Sequence, residues 1–425
     1  PVLVESKNDH DDSLVTGRMS NNLLVHFEGT EVPKMNLEPI SDPNNNLKIF
    51  VPGESFNIYS DKLSEYTVYP TPESNSIIYF SDEPLNNSHK EVKTNSGYYY
   101  IISNVGDAVD ANYFKNNTSI TKVIIGEGIT TIKEYAFKNC KNLDYIYLPE
   151  GIKEFGKQCF YGCESLEKIH IRSSLTTFGD EIFYGCVNLK EFDSYNEGCV
   201  SDDNRCYIHS YTNNNENIKE LKFFAQGGLS EYTIPDDITQ ISKYAFEGSN
   251  IGKITLNSNI TFIDDYTFAD CENLTTISNY DEITRINAFA FSGCKNLTTC
   301  ILNQKTEIIG EGAFKNCANL VFTDDNPLEL NITQINKTTF AGCVGIQSVL
   351  MNDETHTIDD NAFNGCTSLK SINITSLKKL TTIGSSAFYK CSSLWGDTTE
   401  IALPTTVLVS IFTPRALRVS ISLFN

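Results

Sequence analysis

Cysteine is the residue type in this sequence that most readily suggests chemistry. The 425 residues contain 13 cysteines, and a thiolate can act as a nucleophile, bind zinc or form a disulfide. Zinc sites usually need close cysteine pairs or cysteine with histidine, and the sequence has no C-x-x-C pair. Nine cysteines instead recur singly, most of them 23 residues apart, so we expect free, buried thiols. Cys199 and Cys206 are the one pair that we consider for a disulfide.

The other potentially catalytic groups do not form a recognisable motif. The six histidines are scattered, and neither a G-x-S-x-G motif nor a phosphate-binding glycine motif occurs. Acidic pairs such as Asp264–Asp265 directly precede a recurring phenylalanine, where we expect them to solvate a turn. The sequence therefore predicts no catalytic residue, no metal ligand, no cofactor and no enzymatic activity.

The cysteines belong to an internal repeat that begins at a recurring phenylalanine. Cysteine follows that phenylalanine at offset three, an aliphatic residue follows at offset six, and isoleucine usually precedes it by five. Such a repeat is one supersecondary unit that buries its apolar side only by stacking on its neighbours. In the second copy we expect Leu143–Pro149 to be a strand and Ala136–Cys140 to be one helical turn. The predicted repeat core includes Phe137, Cys140, Leu143, Phe160, Cys163, Leu166, Phe291, Cys294, Leu297, Phe314, Cys317, Phe363 and Cys366.

The repeat pattern, I-x-x-x-A-F-x-x-C-x-x-L-x-x-I-x-L-P, resembles that of the BspA-like leucine-rich repeat family. Residues Ile132 to Pro149 carry it in one copy, and the Y-T-I-P-D run at Tyr232–Asp236 is a second point of similarity. The resemblance covers roughly residues 105–395. It implies an α/β leucine-rich-repeat, right-handed solenoid with short parallel strands on the concave face and short helical turns and extended segments on the other sides. It also implies surface display, adhesion and protein recognition.

The repeats divide the chain into four predicted regions. Residues 1–20 are expected to be a flexible segment, and residues 21–104 a small β-rich region or cap. Residues 105–395 hold about eleven repeats, interrupted by an inserted hairpin at about 193–240. Residues 396–425 are expected to be a degenerate repeat or a C-terminal cap, because an open solenoid end exposes core and strand edges.

The charge of the chain restricts its partners. Fifty-four acidic residues outnumber 33 basic ones, giving a net charge of −21, which argues against nucleic acids and anionic membrane surfaces as partners. No apolar run is long enough to span a bilayer, so we do not expect a transmembrane protein. The chain begins at Pro1 without a signal peptide. We expect a monomeric, secreted or cell-surface protein whose signal or anchor is absent from this chain.

The candidate binding residues are the outward positions of the predicted strands. Tyrosine, arginine and histidine there form a predicted recognition patch, because aromatic residues and arginine are enriched at protein-binding hot spots. An ordinary solvated strand face is the alternative. The favoured function is binding or adhesion to a host or matrix protein, and the alternative is a carbohydrate-binding surface module, in which tyrosines stack on sugar rings. The patch consists of Tyr145, Tyr147, Lys168, His170 and Arg172.

Overall fold

The computed structural model describes residues 107–394, except 126–128, 150, 172–174, 195–198, 202 and 299–301, and elsewhere the backbone of individual strands. The chain divides into two compact units. The first unit comprises Pro1–Ala108, Ser119–Ile129 and Ile146–Glu150, and the second comprises Val109–Thr118, Thr130–Tyr145 and Gly151–Asn425. Most of the predicted cap at 396–425 lies outside the described residues, whereas two strands lie within the predicted flexible segment at 1–20.

The secondary structure of the described residues is almost entirely strand and turn. A single 3-10 turn, Ile374–Ser376, is the helical element among them. In chain order the strands are β1 (Val2–Lys7), β2 (Leu14–Met19), β3 (Leu24–Glu28), β4 (Lys48–Phe50), β5 (Val68–Tyr69), β6 (Ile77–Phe80), β7 (Lys90–Thr94), β8 (Gly97–Ile102), β9 (Ala108–Val109), β10 (Ile120–Ile125), β11 (Thr131–Ile132), β12 (Tyr145–Tyr147), β13 (Glu154–Phe155), β14 (Lys168–Ile171), β15 (Thr177–Phe178), β16 (Glu191–Ser194), β17 (Cys206–Asn213), β18 (Glu216–Phe224), β19 (Glu231–Thr233), β20 (Gln240–Ile241), β21 (Lys253–Thr255), β22 (Phe262–Ile263), β23 (Thr276–Ser278), β24 (Arg285–Ile286), β25 (Ile308–Ile309), β26 (Leu328–Leu330), β27 (Gln334–Ile335), β28 (Ser348–Met351), β29 (Thr357–Ile358), β30 (Ser371–Ile372), β31 (Thr382–Ile383) and β32 (Leu408–Val409).

The first unit contains mainly antiparallel pairs. Strands β1, β2 and β3 form one antiparallel sheet, and β6 pairs antiparallel with both β4 and β5. Strands β7 and β8 form an antiparallel pair, and β8 pairs parallel with β10. The resulting sheet has the order β12-β10-β8-β7.

The second unit is built from parallel ladders, and the solenoid has about 11 turns. Two-residue strands form the short ladders β15-β13-β11-β9, β22-β24-β25 and β27-β29-β31-β32, and mostly longer strands form the long ladders β14-β16, β19-β21-β23 and β26-β28-β30. Several coils, such as those of β21/β22, β23/β24 and β28/β29, contribute one strand to each kind of ladder. Their apolar strand residues therefore point into a core shared with neighbouring coils, as expected of stacked repeats.

The segment around each recurring phenylalanine is a pair of turns, which corrects the expected helical turn. Tyr135, two residues before Phe137, has φ 60°, and Asn139, two residues after it, has φ 59°. Left-handed residues cannot continue a right-handed helix, so the chain reverses direction at both sides of the phenylalanine. The same two positions have positive φ around the other recurring phenylalanines from Phe114 to Phe388.

The phenylalanines form two continuous stacks through the core. Ring centroids of successive coils lie 5.0 to 5.6 Å apart from Phe114 to Phe183 and again from Phe246 to Phe388. This distance follows from the spacing of paired strands, roughly 4.8 Å, because each coil repeats the position of the one before. All thirteen predicted core residues have an exposed fraction of 0%.

The predicted insertion contains an antiparallel hairpin that replaces one coil of the stack. Strand β17 pairs antiparallel with β18, and β18 pairs parallel with β20. Phe223 packs edge-on against Phe183 with ring centroids 5.0 Å apart, while Phe224 stacks on Phe246 at 4.4 Å. Two hairpin residues therefore bridge the core between the two phenylalanine stacks.

The repeat cysteines are hydrogen-bond donors inside the core. Each of the nine thiols donates to the backbone carbonyl of the preceding coil's phenylalanine at 3.0 to 3.2 Å, as Cys294 does to Phe268. Among the described residues no cysteine forms a disulfide, and Cys199 and Cys206 are not bonded to each other. Burial raises the pKa of the Cys343 thiol to about 12, which keeps the donating proton in place.

Candidate functional site

The long ladders place one row of polar side chains per coil on the surface, which we call the strand face. We define it by the outward residues of two described stretches, one on β14 and β16 and the other on β19, β21 and β23. Residues on these strands alternate with buried isoleucines such as Ile169, Ile254 and Ile277, because successive strand side chains point to opposite faces. The strand face comprises Lys168, His170, Glu191, Asp193, Glu231, Thr233, Lys253, Thr255, Thr276 and Ser278.

The first stretch is a compact cluster of charges. The parallel register places Lys168 beside Glu191 and His170 beside Asp193. Lys168 Nζ lies 3.1 Å from the Glu191 carboxylate and 3.5 Å from that of Asp193, and His170 Nδ1 lies 3.0 Å from Asp193 Oδ2. Burial of Asp193 opposes its charge, but the hydrogen bond from His170 and the charges of His170 and Lys168 outweigh this and lower its pKa.

The second stretch carries hydroxyl groups and one ion pair. Lys253 Nζ donates to Glu231 Oε1 at 2.7 Å across the β19–β21 pair. The hydroxyl groups of Thr255 and Ser278 lie 3.1 Å apart on β21 and β23. Side chains of successive coils therefore contact one another along both stretches of the strand face.

The predicted recognition patch is only partly accessible. Tyr145 and Lys168 are half-buried, but Tyr147 is 5% exposed and His170 is 7% exposed. The expectation that Tyr147 and His170 are accessible for binding is therefore wrong. Tyr147 belongs to the first unit and lies in the sheet that also holds β10. His170 has Asp193 of the neighbouring strand against it. Arg172 lies outside the described residues.

The described residues contain no cluster with the composition of a metal site. Within the described ranges, no group of three or more histidine, cysteine, aspartate or glutamate side chains could hold a metal ion. In the same part of the chain, no helix combines the length and hydrophobicity needed to cross a bilayer.

Sequence reasoning missed a cleft at the place where the hairpin interrupts the coils. Its walls include Glu181 and Tyr184 from the coil before the hairpin, Gln226 after it, and Tyr244 and Glu247 from the next coil. The long interval between Phe183 and Phe246 marks the position of this interruption in the sequence. It does not indicate which polar groups meet there, because that depends on how the two flanking coils approach each other.

A comparison with protein families finds repeats over the same part of the chain that forms the coils. The BspA type leucine rich repeat region matches residues 107–207, 206–321 and 325–411, in six copies. A curated protein, the tRNA-2-methylthio-N(6)-dimethylallyladenosine synthase of Lachnoclostridium phytofermentans, is 67% identical over 30 residues. That match spans 7% of this chain and 7% of the synthase.

Several solved structures of bacterial proteins resemble the chain. A leucine-rich repeat protein from Eubacterium ventriosum is 24% identical, with a TM-score of 0.51 over 72% of this chain and 93% of its own. A leucine-rich repeat protein from Bacteroides ovatus is 20% identical, with a TM-score of 0.38 over 84% of this chain and 100% of its own. The pneumococcal vaccine antigen PcpA is 13% identical, with a TM-score of 0.42 over 76% and 99% of the two chains. The first of these similarities supports the repeat fold.

Proposed function

The chain belongs to the BspA type leucine-rich repeat family, and from this premise we propose that it binds another protein through its strand face. The proposal covers a secreted or cell-surface, monomeric protein whose partner is a host or matrix protein. Binding requires no covalent chemistry in this account. It depends on a surface whose shape is set by the stacked coils.

The observation that carries the proposal is the pairing of polar side chains between coils on the strand face. Lys253 and Glu231 are joined at 2.7 Å, and His170 and Asp193 at 3.0 Å. Side chains that are already ordered lose less conformational entropy when a partner binds. A fixed pattern of charges and hydroxyl groups also selects partners by electrostatic complementarity.

The accessible positions revise the predicted recognition patch. Among the residues of the predicted recognition patch, Lys168 lies on the strand face and stays partly accessible. Tyr145 is half-buried. Tyr147 and His170 offer little surface, so their proposed role is to support their neighbours. We therefore propose that the main contacts come from Glu231, Thr233, Lys253, Thr255, Thr276 and Ser278.

A charge swap tests this proposal while preserving the local ion pair. The double variant Glu231→Lys/Lys253→Glu reverses the charge pattern of the strand face but keeps opposite charges side by side. The matched control is Glu282→Lys/Lys305→Glu, an exposed pair at 2.7 Å in the turns between the ladders. Both variants and the parent protein would be measured against an array of extracellular-matrix and host surface proteins.

We expect the array to identify a protein ligand that the strand-face variant binds at least about tenfold more weakly than the parent protein does. This corresponds to a loss of about 1.4 kcal/mol of binding free energy. The control swap should leave that affinity unchanged. Equal affinity of the parent and the strand-face variant for every ligand found would refute the use of this surface.

Carbohydrate binding is the second candidate, and the hydroxyl groups of β21 and β23 favour it. The aromatic rows in the turns argue against it, because Tyr244, Tyr266 and Phe289 stack on one another with centroids 5.0 to 5.1 Å apart. Both faces of the Tyr266 ring, and one face each of Tyr244 and Phe289, are thus already covered. A glycan array run alongside the protein array, positive for glycans and negative for proteins, would favour the second candidate.

A further inference from the structure

The cleft beside the hairpin has room for a small polar group. Its volume is about 40 Å³, which corresponds to roughly three water molecules at ~10–15 Å³ each. It lies in the second unit, away from the residues that define the strand face. The cleft is therefore a different site from the proposed protein-binding surface.

Two buried oxygen atoms in the cleft wall lack a hydrogen-bond donor. Gln226 is 5% exposed, and its Nε2 donates to the backbone carbonyl of Glu247 at 3.3 Å, but its Oε1 accepts nothing. Glu247 Oε2 is also buried without a partner. Buried acceptors of this kind are rare in folded proteins and cost stability until a donor reaches them.

The charges around the cleft favour a cation as that donor. The two lysines in the wall are already engaged, because Lys243 Nζ lies 2.5 Å from Asp180 and Lys222 Nζ lies 3.0 Å from Glu220. Lys222 also donates to Ser242 Oγ at 3.0 Å. Both basic residues of the cleft lining are thus paired with groups other than Glu247.

Three further carboxylates act on Glu247 from the coils on either side. Burial raises the pKa of Glu247 most, and the charges of Glu181, Asp270 and Asp180 raise it further, to about 9. Burial and the neighbouring acidic charges therefore disfavour an unpaired Glu247 carboxylate, and a bound cation would favour its ionised form.

From this geometry we propose that the cleft binds a primary ammonium group, with Glu247 and Gln226 as its acceptors. An ammonium group carries three donors and is small enough for the volume. A metal ion fits less well, because two oxygen atoms from one carboxylate and one amide do not supply the usual set of six or more ligands. The ammonium group could come from a free alkylamine or from a lysine side chain of a protein.

Titration calorimetry of the full chain tests the proposal and separates the two sources. The probes are ethylammonium, N-acetyl-lysine-methylamide and, as the uncharged control, N-acetyl-norleucine-methylamide. Binding of ethylammonium alone identifies a free amine, and binding of the lysine probe identifies a lysine side chain. Glu247→Gln should weaken binding at least about tenfold, because it removes the negative charge that the cation requires. Glu272→Gln, which alters an exposed carboxylate paired with Lys295, should not.

The pH dependence provides an independent test. Below the pKa of Glu247, binding should release close to one proton, and affinity should rise about tenfold per pH unit until Glu247 is ionised. Carbon NMR of the Glu247 carboxyl group would show its pKa falling on addition of the bound probe. This measurement on the parent protein holds even if Glu247→Gln fails to fold.

Three results would overturn the proposal. The first is that neither charged probe binds at millimolar concentrations. The second is that the norleucine probe binds as tightly as the lysine probe. The third is that the pKa of Glu247 is unchanged by a probe that binds.

Discussion

At the scale of single residues, the repeat cysteine is both a core side chain and a hydrogen-bond donor. Its backbone N–H binds the phenylalanine carbonyl of its own coil, while its thiol binds that of the preceding coil, as Cys294 does with Phe291 and Phe268. Alanine would fill part of the space but could not donate. This double role explains why cysteine, an otherwise reactive residue, recurs in the described coils as a free thiol.

Replacing one of these thiols should cost more than the same change at a cysteine without such a bond. We expect Cys294→Ala to lower the free energy of unfolding by about 1 kcal/mol more than Cys159→Ala. Cys159 is equally buried and stands where other coils have alanine, and within the described residues its thiol donates to no phenylalanine carbonyl. Urea unfolding followed by circular dichroism measures the free energy of unfolding of both variants. Equal losses of stability in the two variants would contradict a contribution from the hydrogen bond.

Alkaline pH should destabilise the fold through the same thiols. Burial raises the pKa of Cys343 to about 12, so between its unfolded and folded pKa values only the folded state keeps the proton. Its contribution is therefore complete below about pH 9 and is lost as pH rises towards 12, by about 1.4 kcal/mol per pH unit. Over this pH range the urea concentration at the unfolding midpoint should fall less steeply with pH for Cys343→Ala than for the parent protein. Identical slopes in the two proteins would refute this contribution of the thiol.

At the scale of elements, the turn around each phenylalanine is defined by backbone conformation more than by side-chain pattern. Glycine or asparagine often occupies the position two residues after the phenylalanine, as Gly162 and Asn316 do. These residues tolerate positive φ, so their recurrence is a signal that predicts turns in place of helix. The position two residues before the phenylalanine lacks this signal, since it holds Tyr244 in one coil and Thr338 in another.

Thr338 provides a test of this backbone conformation. Its φ is 53°, which is unfavourable for a β-branched residue, whereas Asn361 holds the same position in the next coil. We expect Thr338→Asn to raise the free energy of unfolding by up to ~1 kcal/mol. Thr333→Asn, at a position without positive φ, should have no such effect, and a loss of stability in Thr338→Asn would contradict the assigned turn.

At the scale of the whole molecule, the hairpin is the least regular junction of the second unit. Between regular coils, the N–H groups of Gln158, Phe160 and Gly162 all donate to the next coil. Within the described residues, the corresponding groups of the Phe183 coil make no such bond to the Phe246 coil. Phe223 and Phe224 supply the core contacts there, so coupling between the two phenylalanine stacks depends on the hairpin.

Truncating Phe224 should therefore separate the unfolding of the two stacks. Phe224→Ala removes a ring that is 2% exposed and should cost about 3–5 kcal/mol. Because each repeat contacts only its neighbours, calorimetry should then show two transitions. Phe291→Ala, inside a regular stack, should lose comparable stability with a single main transition, and a single transition in both variants would argue against a weak junction.

The sequence predicted the features that repeat and missed those that depend on neighbouring coils. Phe137, Cys140 and Leu143 could be assigned to the core because their spacing recurs many times. The accessibility of Tyr147 and His170 could not, because it is set by residues distant in the chain, such as Asp193 for His170. The cleft at Glu247 escaped for the same reason, as its walls come from three separate segments.

Hydrogen–deuterium exchange with a captured protein ligand tests the proposed binding surface most directly. We expect slower exchange on binding in the peptides that contain β19, β21 and β23, with a smaller effect at β14 and β16. Peptides around the phenylalanine turns should not change. Protection confined to those turns or to the first unit, with none on the strand face, would contradict the proposed function.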